Sequence, residues 1–216
     1  MEAALIDLFD TLVWSEWRAL RSALARELGV PEDVLIRAYE TTYTPRQTGA
    51  FGSAEGDIAA LVEACGLEPE PAFVRRITDL VASHLDGRVH LYDDALPTLR
   101  ALRARGVRTA VVSNCDHFAG PLVHELGLRD EVDALVLSFE VGSHKPDARI
   151  YEVALDALGT SPERAVFVDD QPWYLDGAAA LGIATRCIRR AREPWEGHRD
   201  PGPHPTISSL TELLGA

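Results

Sequence analysis

Short apolar segments alternate with helical patterns along most of this sequence of 216 residues. The apolar segments are 3–6, 108–113, 134–138, 165–168 and 184–188. The helical patterns between them are 93–105, 118–126, 147–158 and 172–181, and a glycine follows each one. Strands that alternate with helices predict a parallel sheet with helices on both faces. The expected fold class is therefore α/β, with a doubly wound, Rossmann-like core.

Residues 14–86 interrupt this alternation. The helical stretches within them are 14–28, 32–43, 54–64 and 71–85. They predict an α-helical bundle inserted after the first strand, which divides the chain into a core domain (1–13 and 87–216) and a helical domain (14–86). The composition of residues 44–53 favours a flexible linker. Residues 190–205 are rich in proline and predict a long surface loop, followed by a short strand at 206–207 and a helix at 209–214.

Charge and cysteine content argue against several classes of function. The 34 acidic residues exceed the 21 Lys and Arg residues, and the net charge of −13 argues against binding to nucleic acid or to an anionic membrane. The cysteines are far apart in the sequence, so neither a disulfide framework nor a zinc site is indicated. No targeting segment or membrane span is recognisable. We expect a cytoplasmic protein that is a monomer or a homodimer.

Polar side chains with catalytic potential follow the predicted strands. They are Asp7, Ser113, Asn114, His144, Lys145, Asp169 and Asp170. In a doubly wound sheet, ligands bind at the carboxyl ends of the strands. A carboxylate, a hydroxyl, an ammonium group and an acidic pair at that edge could together bind a phosphoryl group and Mg²⁺.

The segments that carry these residues resemble the four motifs of the haloacid dehalogenase superfamily. They are IDLFDTL at 6–12, VVSN at 111–114, GSHKPD at 142–147 and FVDDQP at 167–172. Each motif alone is a weak signal, but all of them in order, each after a predicted strand, are a strong one. The resemblance covers nearly the whole chain. The helical insertion is similar to the cap domain of one branch of the superfamily.

The resemblance implies a role for each candidate residue. Asp7 would attack phosphorus and form an aspartyl-phosphate, while Ser113 and Lys145 would bind the phosphoryl oxygens. The implied Mg²⁺ ligands are Asp7, the carbonyl oxygen of Phe9, Asp169 and Asp170. The residues expected to contact the substrate are Phe9, Asp10, Asn114, Arg18, Arg46 and Trp173. The implied activity is that of a Mg²⁺-dependent phosphatase acting on a small phosphorylated metabolite.

Phe9 departs from the phosphatase pattern. Phosphatases of the superfamily usually carry a second Asp at this position, which protonates the leaving group, and such general acid catalysis contributes roughly 10²- to 10⁴-fold. Phe9 therefore either restricts the substrates to good leaving groups or indicates a different reaction. Asp10 stands where the motif usually has glycine. Asp116 or His117 could replace the missing acid if either side chain lies near Asp7.

The aromatic residue at position 9 keeps two other functions open. The 2-haloacid dehalogenases have an aromatic residue there, because displacement of halide needs neither a proton donor nor a metal. They generally have Ser-Ser-Asn where this chain has Asp-Asp-Gln at 169–171, and a tyrosine where it has His144. A third hypothesis is a catalytically weak phosphate-binding or regulatory protein that retains the fold. We therefore expect the phosphatase, with a metal-independent dehalogenase and a binding protein as alternatives.

Overall fold

The computed structural model describes residues 1–192 and 199–215. The strands are β1 (Ala3–Ile6), β2 (Val13–Ser15), β3 (Val89–Leu91), β4 (Arg108–Ser113), β5 (Ala134–Leu137), β6 (Ala165–Asp169), β7 (Ala184–Ile188) and β8 (Thr206–Ile207). The α-helices are α1 (Trp17–Leu28), α2 (Glu32–Gln47), α3 (Ala54–Ala64), α4 (Pro71–Leu85), α5 (Ala95–Ala104), α6 (Ala119–Glu125), α7 (Leu128–Glu131), α8 (Ser138–Val141), α9 (Ala148–Leu158) and α10 (Pro172–Ala180). Short 3₁₀ helices lie at Pro162–Arg164 and Leu210–Gly215.

One parallel sheet forms the centre of the fold. Within the described residues its strand order is β5-β4-β1-β6-β7-β8, and every neighbouring pair is parallel. This confirms the predicted α/β, Rossmann-like fold class. β1 is completely buried: Ala4 and Ile6 pack into the hydrophobic cluster on one face, and Ala3 and Leu5 pack into the cluster on the other face. Burial on both faces explains why this strand is an unbroken apolar run in the sequence.

Helices α1–α4, which we call the helical unit, pack around a hydrophobic cluster of their own. Leu24, Leu35 and Ile77 are among its fully buried residues. The chain enters the unit through β2 and leaves it through β3, and these strands pair as an antiparallel ribbon in which Trp14 lies opposite His90. The two chain segments that connect the helical unit to the main sheet therefore lie side by side. The division of the chain into domains at residues 14 and 86 stays a prediction.

The structure differs from the sequence-based expectation in several segments. The helix expected at 14–28 begins only at Trp17, because Trp14 and Ser15 belong to strand β2, which pairs with β3. Helix α2 continues to Gln47, so the first residues of the expected flexible linker at 44–53 are helical. The Arg46 side chain donates to the Thr42 hydroxyl and to the Tyr39 carbonyl, which fastens this last turn. The segment expected as a helix at 209–214 is a 3₁₀ helix. Arg190, expected on a surface loop, is buried, and residues 193–198 of that loop lie outside the described residues.

No helix in the described part of the chain is long and apolar enough to cross a bilayer.

Candidate active site

The candidate site lies at the carboxyl edge of the central strands. Asp7 directly follows β1, and its backbone N–H donates to the Val168 carbonyl at 2.9 Å, which continues the pairing of β1 with β6. Ser113 is the last residue of β4, and Asp169 is the last residue of β6. Because β4, β1 and β6 are neighbours in that order, their ends bring these side chains to the same edge of the sheet.

Lys145 is the buried cation of the site. Its side chain is 1% exposed, and its Nζ donates to Asp7 Oδ1 at 2.5 Å and to Asp169 Oδ2 at 2.7 Å. The rings of Phe167 and Tyr174 lie 5.4 and 4.9 Å from Nζ, so aromatic faces enclose the ammonium group on its other sides. Lys145 thus holds two carboxylates from adjacent strands in fixed positions.

Asn114 holds the main chain of that lysine. Its Nδ2 donates to the Lys145 carbonyl at 3.0 Å, and its Oδ1 accepts from the Lys145 N–H at 2.7 Å. This pair of bonds fixes where the lysine side chain begins. The expected contact of Asn114 with a substrate stays a prediction. So does the phosphoryl-binding role of Ser113, which is fully buried and whose hydroxyl lies 3.5 Å from the Asn114 carbonyl oxygen.

Asp7, Asp169 and Asp170 form a carboxylate cluster. One oxygen of each lies within 4.8 Å of the others, and each residue is buried. Gln171 binds both Asp169 and Asp170. Its backbone N–H donates to Asp169 Oδ1 at 2.8 Å, and its side-chain amide donates to Asp170 Oδ2. Oxygen ligands grouped in this way suit a hard divalent cation such as Mg²⁺. The residues present therefore fit the metal that the sequence motifs imply.

Burial is the main influence on the ionisation of the cluster. Burial raises the pKa of Asp7, against the opposing effect of Lys145. Burial also raises the pKa of Asp169 to about 7, and burial together with the other carboxylates raises the pKa of Asp170 well above its ordinary value. Burial alone would lower the pKa of Lys145, but the two carboxylates outweigh it and hold that pKa well above its usual range. One ammonium group thus faces three carboxylates, which leaves two negative charges when all are ionised.

The loop after β1 carries the other residues of the first motif. Asp10 has a positive φ of 58° and donates its N–H to the Val13 carbonyl at 2.6 Å. This left-handed turn explains why the motif usually has glycine there, and Asp tolerates the conformation better than most residues. Phe9 is partly buried against the hydrophobic cluster on one face of the sheet. Its expected role in binding metal and substrate stays a prediction.

The other residues expected to contact substrate lie in different environments. Arg46 is buried and donates to Asp116 Oδ2 at 2.9 Å, which joins the helical unit to the loop after β4. Trp173 lies in the first turn of α10, with the Arg199 guanidinium 4.7 Å from its ring. Arg18 is exposed near the start of α1. Direct substrate contact remains a prediction for all of them.

Asp116 and His117 both pair with the helical unit. Asp116 accepts from Arg46, and the His117 ring nitrogen Nδ1 lies 2.7 Å from Asp57 Oδ2 on α3. Burial raises the pKa of Asp57, which His117 partly offsets. Consecutive residues of one loop thus contact two different helices of the unit, Asp116 through Arg46 on α2 and His117 through Asp57 on α3. Sequence reasoning missed the role of Asp57, because nothing in a helical pattern marks a partner 60 residues away.

Comparisons with known proteins agree with this architecture. The family model described as haloacid dehalogenase-like hydrolase matches residues 1–182. The glyceraldehyde 3-phosphate phosphatase of Methanopyrus kandleri is 31% identical over 205 residues, which are 89% of this chain and 85% of that protein. The (S)-2-haloacid dehalogenase 1 of Pseudomonas sp. (strain CBS-3) is 37% identical over 140 residues, which are 63% of this chain and 61% of that protein.

Several curated relatives match over a shorter length, and a solved structure at lower identity supports the fold. The alignments with that dehalogenase and two further curated relatives span 61%, 53% and 50% of the relatives' lengths. The crystal structure of 2-haloacid dehalogenase from Pseudomonas syringae pv. Tomato DC3000 aligns with a TM-score of 0.72 and 22% identity, covering 100% of this chain and 97% of the other. The range matched by the family model includes Asp7, Lys145 and Asp169. The chain therefore belongs to the haloacid dehalogenase-like hydrolase family.

Proposed function

We propose that this hydrolase is a Mg²⁺-dependent phosphatase that cleaves a small phosphorylated metabolite through an aspartyl-phosphate on Asp7. The observation that carries the proposal is the buried carboxylate cluster of Asp7, Asp169 and Asp170. With Lys145 as the ammonium group that contacts it, the ionised cluster keeps two negative charges, which a divalent cation would balance. A dehalogenase, which needs no metal, would gain nothing from burying two further carboxylates beside its nucleophile.

In the proposed reaction, a carboxylate oxygen of Asp7 forms a bond to phosphorus while the bond to the leaving oxygen breaks. Water then attacks phosphorus, the bond to Asp7 breaks, and inorganic phosphate leaves. Lys145 opposes the protonation of Asp7 and offsets charge on the phosphoryl oxygens, and Ser113 donates a hydrogen bond to one of them. Bound Mg²⁺ would reduce the repulsion between the substrate dianion and Asp7. Asn114 keeps Lys145 in place throughout.

The leaving group receives no proton from position 9. The Phe9 side chain has no ionisable group, and Asp116 and His117 are engaged with Arg46 and Asp57. Expulsion of an alkoxide without a proton donor is slow, whereas an acidic alcohol, a phenol or a carboxylic acid leaves readily. We therefore propose substrates whose leaving group is a weak base, such as aryl or acyl phosphates.

The same Phe9 favours a second candidate, a 2-haloacid dehalogenase. The relative that is 37% identical to this chain has that activity in its name. In this reaction Asp7 would displace halide from carbon, and water would hydrolyse the ester that forms. Halide needs no proton to leave, so Phe9 would be an advantage.

The test is phosphate release from an activated aryl phosphate, with Mg²⁺ and with a chelator, beside halide release from a short 2-haloacid. An activated leaving group needs no proton donor, so the lack of an acid at position 9 does not prevent its release. We expect phosphate only with Mg²⁺, and loss of activity in Asp7→Asn. Asp156→Asn, which changes an exposed residue of α9, is the matched control and should keep full activity. Halide release that a chelator leaves unchanged would refute the phosphatase and support the dehalogenase. Binding of phosphate without turnover of either probe would favour the binding protein.

A further inference from the structure

Two consecutive arginines, Arg189 and Arg190, directly follow β7. This strand pairs with β6, with Cys187 beside Asp169, so the arginines leave the sheet at the same edge as the candidate site. The backbone N–H of Arg189 donates to the Ile207 carbonyl at 2.8 Å, which anchors the dipeptide to the end of β8. Their side chains therefore start from a fixed position near the carboxylate cluster.

Arg190 binds the loop that carries Asp7. Its guanidinium donates to the Thr11 carbonyl from Nη2 at 2.5 Å and from Nε at 3.2 Å. The remaining arm donates to Asp94 Oδ2 at 2.8 Å, and the Tyr92 ring lies 4.1 Å from the guanidinium carbon. The arginine is 8% exposed, and its bonds to the Thr11 carbonyl are buried. Two of the three guanidinium nitrogens thus hold a main-chain carbonyl four residues after Asp7.

Arg189 binds the loop that carries the acidic pair. Its Nη1 donates to the Asp170 carbonyl at 2.6 Å, and its Nη2 donates to the Arg199 carbonyl. The Asp170 carbonyl belongs to a residue whose carboxylate is part of the cluster. Neighbouring side chains of one dipeptide thus reach the two loops whose carboxylates make up the cluster.

Both arginines donate to main-chain carbonyl oxygens near the carboxylate cluster. They can therefore fix the loops without pairing with the carboxylates of the cluster. Hydrogen bonds from charged donors are stronger than those between neutral groups. A guanidinium paired with Asp7 or Asp170 itself would compete with a cation for the same oxygens. A guanidinium on the neighbouring carbonyl leaves the carboxylate oxygens available while it fixes the loop.

We infer that Arg189 and Arg190 are a pair of positioning residues that set the separation between the Asp7 loop and the Asp170 loop, and thereby the affinity of the carboxylate cluster for a divalent cation. The part that concerns the cation rests on the proposed function. The part that concerns the loops does not, so the two can be tested separately.

The first measurement is amide hydrogen exchange on the metal-free protein, comparing Arg189→Met, Arg190→Met and wild type. Arg190→Met should speed exchange in residues 8–13, and Arg189→Met should speed exchange at Gln171 and its neighbours. Arg186→Met is the matched control, because Arg186 lies on β7 and donates to the carbonyl of its own neighbour Thr185. If a methionine variant does not fold, the lysine variant replaces it, since lysine keeps the charge but loses the fork. If these amides exchange in either variant at the same rate as in the Arg186→Met control, the inference is overturned.

The second measurement is the affinity for Mn²⁺, followed by its paramagnetic resonance signal without substrate. We expect each variant to weaken binding by about tenfold or more, as outer residues of metal sites commonly do, whereas Arg186→Met should bind like wild type. Altered exchange with unchanged Mn²⁺ affinity would overturn the proposed effect on the cation. If the wild-type protein itself does not bind Mn²⁺, the proposed function fails, and the exchange data still decide whether the arginines hold the loops.

Discussion

Replacing Lys145 by methionine tests whether the site is organised around an excess of buried negative charge. Methionine has nearly the same length and fills the space between Phe167 and Tyr174, so the variant removes the charge with little loss of packing. It leaves the carboxylates of Asp7 and Asp169 without the ammonium group that they share. The variant therefore removes the ammonium group, its charge and its two hydrogen bonds, and little else.

The expected loss of stability is large. Removing one partner of a buried ion pair costs about 3–5 kcal/mol, because the other charge stays buried without compensation. Lys145 contacts two carboxylates at 2.5 and 2.7 Å, and we therefore expect the upper part of this range. Removing one of these carboxylates as well should relieve part of the loss. In a double-mutant cycle we expect Lys145→Met with Asp169→Asn to be more stable than the sum of the single changes by about 1–3 kcal/mol.

The loss should also depend on pH, and its sign follows from proton binding. Without Lys145, the pKa values of Asp7 and Asp169 in the folded state rise further above their ordinary values. Between the ordinary pKa of the unfolded chain and the raised pKa of the folded variant, the folded state therefore binds more protons than the unfolded state. The free energy of unfolding must then fall as pH rises through that range. The difference from wild type should be larger at about pH 8 than at about pH 5.

Urea unfolding in the presence of a chelator measures these free energies directly. Circular dichroism and tryptophan fluorescence should give coincident transitions, which would justify a two-state treatment. A loss below about 1 kcal/mol at about pH 8, or an equal loss at both pH values, would refute the electrostatic reasoning.

Three further predictions follow from other contacts. Asn114→Ala removes both bonds to the Lys145 main chain, so we expect kcat for an aryl phosphate to fall by about tenfold or more with KM nearly constant; a change confined to KM would contradict this. Arg46→Met removes the guanidinium that pairs with Asp116 and should lower the free energy of unfolding by about 2–4 kcal/mol. Arg37→Met, which breaks an exposed pair, should have little effect in the same urea titration. Mg²⁺ at about 100 times its Kd should stabilise the protein by about 2.7 kcal/mol in thermal unfolding, and a similar gain in Asp170→Asn would argue against the metal site.

The sheet and its polar edge could be predicted from the sequence because both leave local signals. A strand buried on two faces is a short apolar run, and β1 is such a run followed at once by Asp7. The meeting of Asp7 with Asp169 then follows from parallel pairing, which brings the carboxyl ends of strands to one edge. Lys145 lies beyond α8, and the bonds from Asn114 hold its main chain at this edge. The family resemblance of the motifs supplied the roles that these positions imply.

The contacts of the arginines could not be predicted in the same way. Arg46 lies in a segment whose Pro and Gly content favoured a linker, yet it pairs with Asp116, 70 positions away. Arg190 stands at the start of a proline-rich stretch that predicted a surface loop, and it is buried because the Thr11 carbonyl and Asp94 both bind it. No periodicity marks such partners, because each depends on where other loops pass. The sequence does contain one sign of them, a pair of arginines immediately after an apolar strand.

The ribbon of β2 and β3 carries the chain into and out of the helical unit at one place. Ser15 and Val89 are paired residues at the end of this ribbon, so the chain that leaves the sheet returns within one strand spacing. A two-residue turn would close the same ribbon. Helices of other lengths and shapes could therefore be exchanged at this junction without moving a strand of the main sheet. Such a junction would let one catalytic core acquire new substrates by recombination, while the chemistry at the strand ends is inherited unchanged.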